Sequence, residues 1–374
     1  MNVDELPLLS ADSHVEEPHL LWHDGLPAAM RARAPRVLVP EESSAEDFGR
    51  RIGAGVSFKH EARSMNVDKT GGLDDAEVRL RTSDPEWRFK ILREDGVAGE
   101  VIYPTSGLQV WAAEDAEVGA ACCRIYNDWI HDRLESKSPR FRCAGLIPTW
   151  NVEDAVSEVK RIADLGLGAA LLPLVGTPDW NHRQWEPLLS TIEEIGFPIV
   201  MHQGTGHDML FYRGRGASVA NLLATQSMAP RTAGLLATSG VLQDHPGLHF
   251  VFVECNASWL SWAMETLDHY SVAFQGYEGW VKPVLPEPPS AYLRRQIHGT
   301  FQVDSVAIAN VPRTGVEPLL WGSDYPHMEG TYPNSRKTVA DLFGGLTPEQ
   351  AADIGHATTA RLFGFEPEVL TSPV

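Results

Sequence analysis

Histidine and acidic residues stand at four places in the chain where a short apolar run ends. Asp12 and His14 follow the first run, and His202, Glu254 and Asp324 follow three later ones. Aspartate and neutral histidine are ligands of catalytic divalent metals, which keep one coordination position for water. If the four runs are strands that end at one face, these side chains meet there, and the sequence predicts a metalloenzyme.

The first two candidates have the spacing of two ligands on one side of a strand. Side chains two residues apart in an extended segment point the same way, so Asp12 and His14 can hold one cation. The same triplet also arises where an aspartate caps the following segment. His202 precedes Gly204 and Gly206, which let a substrate approach the backbone closely. The alternative for this residue is a core histidine that bonds to a carbonyl.

Two carboxylates complete the candidate site. Asp324 ends a buried run, where an unpaired carboxylate is costly, so we expect it to bind the metal and accept a proton from metal-bound water; a helix cap is the alternative. Glu254 is open to three roles, namely a general acid or base, a ligand of a bridging metal, or a salt-bridge partner beneath the site. The predicted metal ligands are Asp12, His14, His202 and Asp324, and the predicted catalytic residues are His202, Glu254 and Asp324.

Five further residues are candidates for substrate binding. His207, Arg213 and Arg215 lie together in one glycine-containing loop. An arginine there could hold a substrate carboxylate through two hydrogen bonds, although a solvated loop charge is the commoner outcome. Trp22 and His327 complete the set, and a position in a cap or in the core is the alternative for Trp22.

Eight short apolar or β-branched runs alternate with longer amphipathic patterns. Near-continuous apolar runs are typical of parallel strands that are covered on both faces. The predicted strand cores are residues 7–10, 101–103, 145–148, 169–172, 198–201, 250–253, 298–301 and 319–321. Eight strands with helices between them predict an α/β fold, a distorted (β/α)8 TIM barrel that forms one domain over residues 1–374.

The predicted helices are residues 115–136, 151–164, 185–195, 217–239 and 256–274, with a closing helix at 347–363. Two stretches do not fit this repeat. Residues 19–85 are polar and poorly periodic, and we interpret them as a cap-like insertion after the first strand. Residues 276–289 are rich in proline and glycine and are predicted to be a loop.

The composition of the chain limits its expected binding partners and its expected cellular compartment. The 374 residues carry a formal net charge of -19, which disfavours nucleic-acid and membrane partners because phosphate backbones and anionic lipids would be repelled. The four cysteines form no CxxC pair and are interpreted as reduced, mostly buried thiols. The first residues lack a basic segment followed by an apolar one, so we expect no signal peptide and a cytoplasmic protein.

Several phrases together resemble the amidohydrolase-related branch of the amidohydrolase superfamily, which includes aminocarboxymuconate-semialdehyde decarboxylase. They are residues 10–18, 126–129, 199–206, 245–248 with 253–254, 257–260 and 321–327. The resemblance implies a distorted (β/α)8 barrel that holds one divalent metal, with zinc expected and manganese or iron as alternatives. It also implies that the ligands are Asp12, His14, His202 and Asp324.

The chain departs from the family pattern at two positions. Many members have His-x-His at the first strand, where Asp12 stands here, and an aspartate favours a harder metal. The decarboxylases of the family carry a catalytic histidine on the sixth strand, where this chain has Glu254. This difference argues against decarboxylation by their mechanism, and the pattern of Glu254 with Trp259 instead resembles a subgroup of hydrolases.

The sequence thus favours a metal-dependent hydrolase that directs metal-activated water at a small amide, lactone or cyclic substrate. Non-oxidative decarboxylation of an aromatic or unsaturated carboxylic acid is the main alternative, and metal-assisted cyclisation or dehydration is a third. A non-catalytic ligand-binding barrel is the alternative from a different class. We also expect a homodimer, because the helices with Trp259 and Trp262 and with residues 122–129 carry more large apolar groups than one buried face requires.

Overall fold

The structure, a computed structural model, describes residues 6–18, 20–34, 36–38, 57–59, 81–206, 212 and 214–374. The strands in this part of the chain are β1 Leu8–Val15, β2 Arg36–Leu38, β3 Ser57–Lys59, β4 Val97–Pro104, β5 Phe141–Leu146, β6 Ala169–Leu172, β7 Ile199–His202, β8 Phe250–Val253, β9 Ile297–Phe301 and β10 Leu319–Trp321. Strands β2 and β3 pair with each other, and the other eight form one parallel sheet in chain order. This sheet curves into a nearly closed barrel with helices between the strands, which confirms the predicted (β/α)8 fold.

The barrel closes between β1 and β10 at their carboxyl ends. Ser13 and Tyr325 form an isolated parallel bridge. The backbone N–H of His14 donates to the carbonyl of Tyr325 at 2.7 Å, and that of Asp324 donates to the carbonyl of Asp12 at 2.7 Å. Closure of the sheet and placement of the candidate ligands therefore depend on the same backbone hydrogen bonds.

All eight predicted strand cores correspond to strands of the barrel, and three of them (β6, β8 and β10) have the predicted bounds. The largest difference is in β1, which continues through a register shift to Val15. Asp12 and His14 thus lie inside a strand whose residues are all buried. Strand β5 begins at Phe141, four residues earlier than predicted, because Phe141 pairs with Glu100 of β4.

The α-helices between and after the strands have these bounds: Leu21–Gly25, Pro85–Asp95, Ala116–Arg133, Val152–Leu165, Glu186–Ile195, Ala217–Gln226, Met228–Ser239, Val241–Asp244, Trp259–Ala273, Pro289–Gln296, Ser305–Ala309, Val311–Thr314, Ser335–Phe343, Pro348–Ala352, Thr358–Phe363 and Pro367–Thr371. The 3-10 helices are Arg31–Arg33, Ser106–Ala112, Glu135–Lys137 and Arg183–Trp185, and Asp353–Ala357 is a π-helix. Within the described part of the chain, every helix is too short or too polar to traverse a lipid bilayer.

Local sequence signals account for several helix ends. The Asn151 side chain accepts a hydrogen bond from the Asp154 N–H at 2.8 Å and caps its helix as expected. The single helix predicted at 217–239 is wrong, since the chain forms two helices that meet at Ser227. Pro230 explains the break, because proline has no N–H to continue the hydrogen-bond ladder of a preceding helix. The predicted closing helix at 347–363 is likewise interrupted, by the π-helix.

Most of the predicted insertion at 19–85 lies outside the described residues, so its role as a cap remains a prediction. The described helix Leu21–Gly25 packs against Ala116–Arg133. The predicted loop extends to residue 288, and the next helix begins at Pro289. All four cysteines are buried and unpaired, as expected for reduced thiols.

Candidate metal centre

Four of the predicted site residues converge at the carboxyl ends of the barrel strands. The Nε2 atoms of His14 and His202 lie 3.0 Å apart. Asp12 Oδ1 lies 3.5 Å from His14 Nε2 and 4.0 Å from His202 Nε2, and Asp324 Oδ1 lies 3.6 Å from His14 Nε2. All four side chains are buried, so residues from β1, β7 and the end of β10 meet in one water-excluded place.

The hydrogen bonds of the two histidines decide which of their nitrogens are free. Nδ1 of His14 faces the Pro104 carbonyl at 2.9 Å, and Nδ1 of His202 faces the Gln203 carbonyl at 2.8 Å. A carbonyl only accepts, so each Nδ1 carries the hydrogen and each Nε2 presents a lone pair. The two lone pairs therefore face each other beside the carboxylates.

Protonation of the two histidines does not relieve this arrangement of acceptors. Burial lowers the pKa of His202 to about 3 and holds the pKa of His14 well below its usual value. Asp12 Oδ1 is buried and has no hydrogen-bond donor among the described residues. A cluster of lone pairs and carboxylate oxygens without a donor is unfavourable unless a cation binds between them. The residues present fit a divalent metal, and neutral imidazole with carboxylate is a common donor set for one.

Two overlapping groups of donor atoms could hold the ion. One group is Asp12, His14 and His202, and the other is His14, Glu254, Asp324 and His327; within each group the donor atoms lie within 4.8 Å of one another. His14 belongs to both groups. The predicted ligand set combines the first group with Asp324, and Glu254 borders it, with Oε2 at 3.4 Å from His202 Nε2.

Strand β9 orients the first carboxylate. Asp12 Oδ2 accepts hydrogen bonds from Gln302 Nε2 at 2.9 Å and from Thr300 Oγ1 at 3.2 Å. Thr300 Oγ1 in turn accepts from the Glu254 N–H at 2.8 Å. Sequence reasoning missed both residues. Their i, i+2 spacing places them on one face of the strand end, and this spacing is the feature of the sequence that could have identified them. These bonds leave Oδ1 of Asp12 directed at the histidines.

Glu254 and Asp324 share an uncommon backbone conformation. Their φ angles are 57° and 55°, in the left-handed region that non-glycine residues seldom adopt. Such residues cost about 1–3 kcal/mol each and persist only where the surroundings hold them. The hydrogen bonds from their N–H groups to Thr300 and to the Asp12 carbonyl supply that restraint. The turns begin where β8 and β10 end and direct both carboxylates toward the centre.

The carboxyl group of Glu254 is held by its neighbours. Oε1 accepts a short hydrogen bond from Gln203 Nε2, and Gln203 Oε1 accepts from Thr225 Oγ1 at 3.0 Å. Burial raises the pKa of Glu254 well above its usual value, and the nearby Asp324 carboxylate raises it further. Glu254 thus lies beside the candidate ligands, and its role there remains a prediction.

His327 links the centre to its opening. Its Nδ1 lies 2.9 Å from Asp324 Oδ1, and its ring centroid lies 4.1 Å from that of His14. The His327 side chain is 14% exposed, whereas the side chains of Asp324 and His202 are 0% and 1% exposed. His327 therefore reaches toward solvent from a buried carboxylate, as expected for a residue that contacts substrate or carries protons.

Arg88 contacts the backbone of the candidate ligand His14. The sequence analysis did not identify this residue. Its guanidinium is fully buried, donating through Nε to Glu100 at 2.7 Å and through Nη1 to the His14 carbonyl at 2.7 Å. It also lies 5.3 Å from the centre of the Tyr325 ring. Arg88 thus fixes the peptide of a ligand and the residue that closes the barrel.

Of the other predicted substrate-binding residues, the structure describes Trp22 and Arg215. Trp22 is fully buried in the hydrophobic core, which is the alternative considered above. Arg215 is exposed to solvent. His207 and Arg213 lie outside the described residues, so their predicted contact with substrate remains a prediction.

Comparison with known families shows which family the chain belongs to. The sequence profile of the amidohydrolase family matches residues 21–365, most of the chain. The chain belongs to the amidohydrolase family. The match includes His202, Glu254 and Asp324 but begins after Asp12 and His14, so geometry alone places those two at the centre. No curated protein sequence matches the chain significantly.

Solved structures share the fold over nearly the whole chain. An amidohydrolase of Mycobacterium avium subsp. paratuberculosis is 18% identical with a TM-score of 0.73, covering 96% of this chain and 99% of that one. The 5-carboxyvanillate decarboxylase LigW of Sphingomonas paucimobilis is 20% identical with a TM-score of 0.70, covering 96% and 100%. A dihydroxybenzoic acid decarboxylase of Polaromonas, with bound manganese and the inhibitor 2-nitroresorcinol, is 17% identical with a TM-score of 0.65, covering 99% and 99%. At these identities the likeness establishes the fold.

The Thr300→Val substitution should weaken metal binding. Valine keeps the shape of the side chain but removes the hydroxyl that donates to Asp12 Oδ2 and accepts from the Glu254 N–H. Loss of such an orienting partner costs about 10- to 100-fold in metal affinity. Titration against a chelator of known affinity measures the change. Thr238→Val, whose hydroxyl bonds only within its own helix, is the control, and equal affinities for the two variants would contradict the role of Thr300.

The Gly322→Ala substitution should disturb the same centre by crowding. A Cβ at residue 322 would lie 2.4 Å from Asp12 Cβ and 2.9 Å from its backbone nitrogen, which forces a ligand strand to move. We expect a loss of about 1–3 kcal/mol in the free energy of unfolding, together with a lower metal content. Gly345→Ala is the matched control, since nothing lies within 4 Å of a Cβ there. Denaturant unfolding and metal analysis of both variants test this.

Proposed function

We propose that this protein is a metal-dependent carboxy-lyase that removes carbon dioxide from a hydroxylated aromatic carboxylic acid without a redox step. The observation that carries the proposal is the buried set of acceptors formed by Asp12, His14, His202 and Asp324, which requires a cation at the mouth of the barrel. The choice of decarboxylation over hydrolysis is supported by the two neighbours of the same fold that are decarboxylases of such acids. This reverses the preference that the sequence suggested.

The reaction needs a place for the carboxylate and a source of one proton. A divalent cation held by Asp12, His14, His202 and Asp324 would supply the positive charge that stabilises the negatively charged substrate. The bond between the ring carbon and the carboxyl group breaks, its electron pair stays on the ring carbon, and carbon dioxide leaves. The ring carbon then takes a proton from an acid group of the protein, which water later restores, so atoms and charge balance.

We assign the movement of that proton to Asp324 and His327. Asp324 is fully buried at the centre, and its Oδ1 lies 2.9 Å from the ring Nδ1 of His327. His327 reaches solvent and can pass a proton inward to the carboxylate that borders the substrate. The pair thus gives the ring carbon an acid and gives that acid a connection to water.

Glu254 offers a second acid group on the same side of the centre. Gln203 donates to its Oε1, which leaves Oε2 directed at His202 Nε2, 3.4 Å away. The family resemblance implies that Glu254 takes the position of a histidine of the decarboxylases, so it would hold a substrate oxygen through a carboxyl group instead. The carboxyl group of Glu254 would then serve as the proton donor in place of that histidine.

Hydrolysis of a small amide, lactone or cyclic substrate is the second candidate. The family profile and one neighbour carry the amidohydrolase name, and this observation favours it. In that reaction Asp324 would accept the proton of the attacking water, and Glu254 would deliver one to the leaving group. The same residues serve both reactions, so the product must distinguish them.

For the cofactor we propose manganese, although the sequence suggested zinc first. Two carboxylates and two imidazoles form a harder donor set than an all-histidine site, and harder sets suit Mn²⁺. The Polaromonas neighbour contains manganese. Elemental analysis of the purified protein, followed by reloading of the chelator-treated protein with Mn²⁺, Zn²⁺ or Fe²⁺, identifies the ion that supports most turnover.

The central test compares carbon dioxide release with hydrolysis. Manganese-loaded protein should release carbon dioxide from members of a hydroxybenzoate panel that includes 5-carboxyvanillate and 2,6-dihydroxybenzoate. In D₂O the product should carry one deuterium at the carbon that lost its carboxyl group. Asp324→Asn and chelator-treated protein are the controls and should be inactive. Hydrolysis of amides or lactones without carbon dioxide release would overturn the proposal, and less than about half a metal per chain with no turnover would favour a binding protein.

The His327→Gln substitution should separate catalysis from metal binding. Glutamine can still bond to Asp324 but cannot relay a proton, so we expect kcat to fall about 100-fold, the scale of general acid–base catalysis. The metal content should stay close to that of the wild type. The exposed His23 provides the control His23→Gln, which should be unaffected. An unchanged kcat for His327→Gln would contradict its role in proton transfer.

A further inference from the structure

A cluster of aromatic side chains lies on the surface at the end of the Trp259–Ala273 helix and in the loop after it. The Phe274 ring stacks on Trp280 with centroids 4.9 Å apart, and Tyr270 and Tyr277 flank it at 5.6 and 5.8 Å. The rings are in contact, yet Tyr270, Tyr277 and Trp280 are 52%, 62% and 69% exposed. Rings arranged in this way are packed against one another but not covered by the protein.

Two hollows make this cluster part of a longer surface. A groove of about 670 Å³ runs between the helix end and the loop, lined by Tyr270, Val272 and Trp280 among others. A second hollow of about 400 Å³ lies between Trp262 and Tyr270. Tyr270 borders both hollows, and Tyr277 joins them through its contact with the half-buried Phe274. These apolar side chains form one continuous surface, here called the aromatic surface; its members are Trp262, Tyr270, Val272, Phe274, Tyr277, Trp280 and Val284.

The exposed rings of the aromatic surface alone reach the size of the largest apolar patch that a monomer usually carries. Four of its rings are between 52% and 69% exposed. With about 200 Å² for each aromatic side chain, they present roughly 500 Å² before Val272 and Val284 are added. A monomer's largest apolar patch is about 300–600 Å², and a stable interface buries about 800 Å² on each partner. The rings alone supply more than half of that area.

The charges around the aromatic surface point to one kind of partner. The exposed charged side chains in residues 259–296, with the neighbouring Arg313, are three acids and three bases: Glu265, Glu278, Glu287, Lys282, Arg295 and Arg313. This balance stands out in a chain with a formal net charge of -19. Two copies of the chain repel each other over most of their surfaces, and this neutral region is where that repulsion is weakest.

We propose that the aromatic surface is the contact between two copies of this chain. A two-fold contact places the same patch on both partners, so it must be self-complementary, with both signs of charge around an apolar centre. The aromatic surface meets that requirement, whereas a strongly acidic or basic partner would select a rim of one sign.

The dimer would leave each metal centre complete and open. The Trp259–Ala273 helix begins after β8, whose end carries Glu254, and its 15 residues extend about 22 Å away from that end. Trp262 lies in the first turn of this helix, and the other members of the aromatic surface occupy the far half of the helix and the loop beyond it. Because most of the aromatic surface lies away from the end of β8, we expect loss of the dimer to leave the metal content per chain unchanged.

Sedimentation velocity of the metal-loaded full chain tests the proposal. The wild type should sediment with twice the 41.2 kDa of one chain. Trp280→Glu should raise the dissociation constant by about 100-fold, the effect of losing a central aromatic residue at an interface. Leu223→Glu is the control, since Leu223 is 71% exposed on the separate Ala217–Gln226 helix, and this variant should remain dimeric. Metal content per chain should be equal in all three proteins.

Three results would overturn the proposal: a wild type that is monomeric at every concentration, a Trp280→Glu variant that dimerises as tightly as the wild type, or dissociation caused by Leu223→Glu instead. Circular dichroism establishes that the variants fold. Should Trp280→Glu misfold, hydroxyl-radical footprinting of the wild type decides. Protection of Tyr277 and Trp280 must rise with protein concentration, and constant exposure of both rings would refute the interface.

Discussion

The Nε2 atoms of His14 and His202 lie 3.0 Å apart in the barrel of this protein, with their lone pairs facing each other. Much of the surrounding structure holds the two rings in this position. Carbonyl groups fix the tautomers of His14 and His202, burial keeps both rings neutral, and Asp12 and Asp324 add further acceptors. Such a group is stable only around a cation. The residues that hold it together, Thr300 and Arg88 among them, act on the ligands rather than on substrate.

The same constraint couples the site to the fold. Strands β1 and β10 join through the backbone of Asp12, His14 and Asp324, so the candidate ligands are also the closing residues of the barrel. Gly322 is needed because Asp12 leaves no room for a Cβ. The left-handed backbone at Glu254 and Asp324 is tolerated because hydrogen bonds from the closing strands and from β9 restrain it. A change that moves the candidate ligands is therefore expected also to weaken the contact between β1 and β10 that closes the barrel.

Sequence patterns predicted the barrel well because parallel strands buried on both faces have apolar runs that are easy to recognise. They failed where a tertiary contact overrode the local pattern. Strand β1 continues through the polar residues Asp12 and His14 because β4 and the end of β10 pair with it. The helix predicted at 217–239 breaks at Ser227, a consequence of Pro230 that the periodicity obscured. Trp22 is an internal residue, although its position near the first strand made a pocket role plausible.

The sequence by itself determined the residue types of the metal centre and the strand ends that carry them, because ligand chemistry and hydrophobic periodicity are local properties. Only the tertiary structure decided which groups touch: that His327 bonds to Asp324, that Gln302 and Thr300 hold Asp12, and that Arg88 reaches the His14 carbonyl. Apart from the Asp324–His327 bond, which joins residues three apart in one turn, these contacts join residues that are far apart in the chain. Their distances depend on the curvature of a closed sheet, which no local pattern encodes.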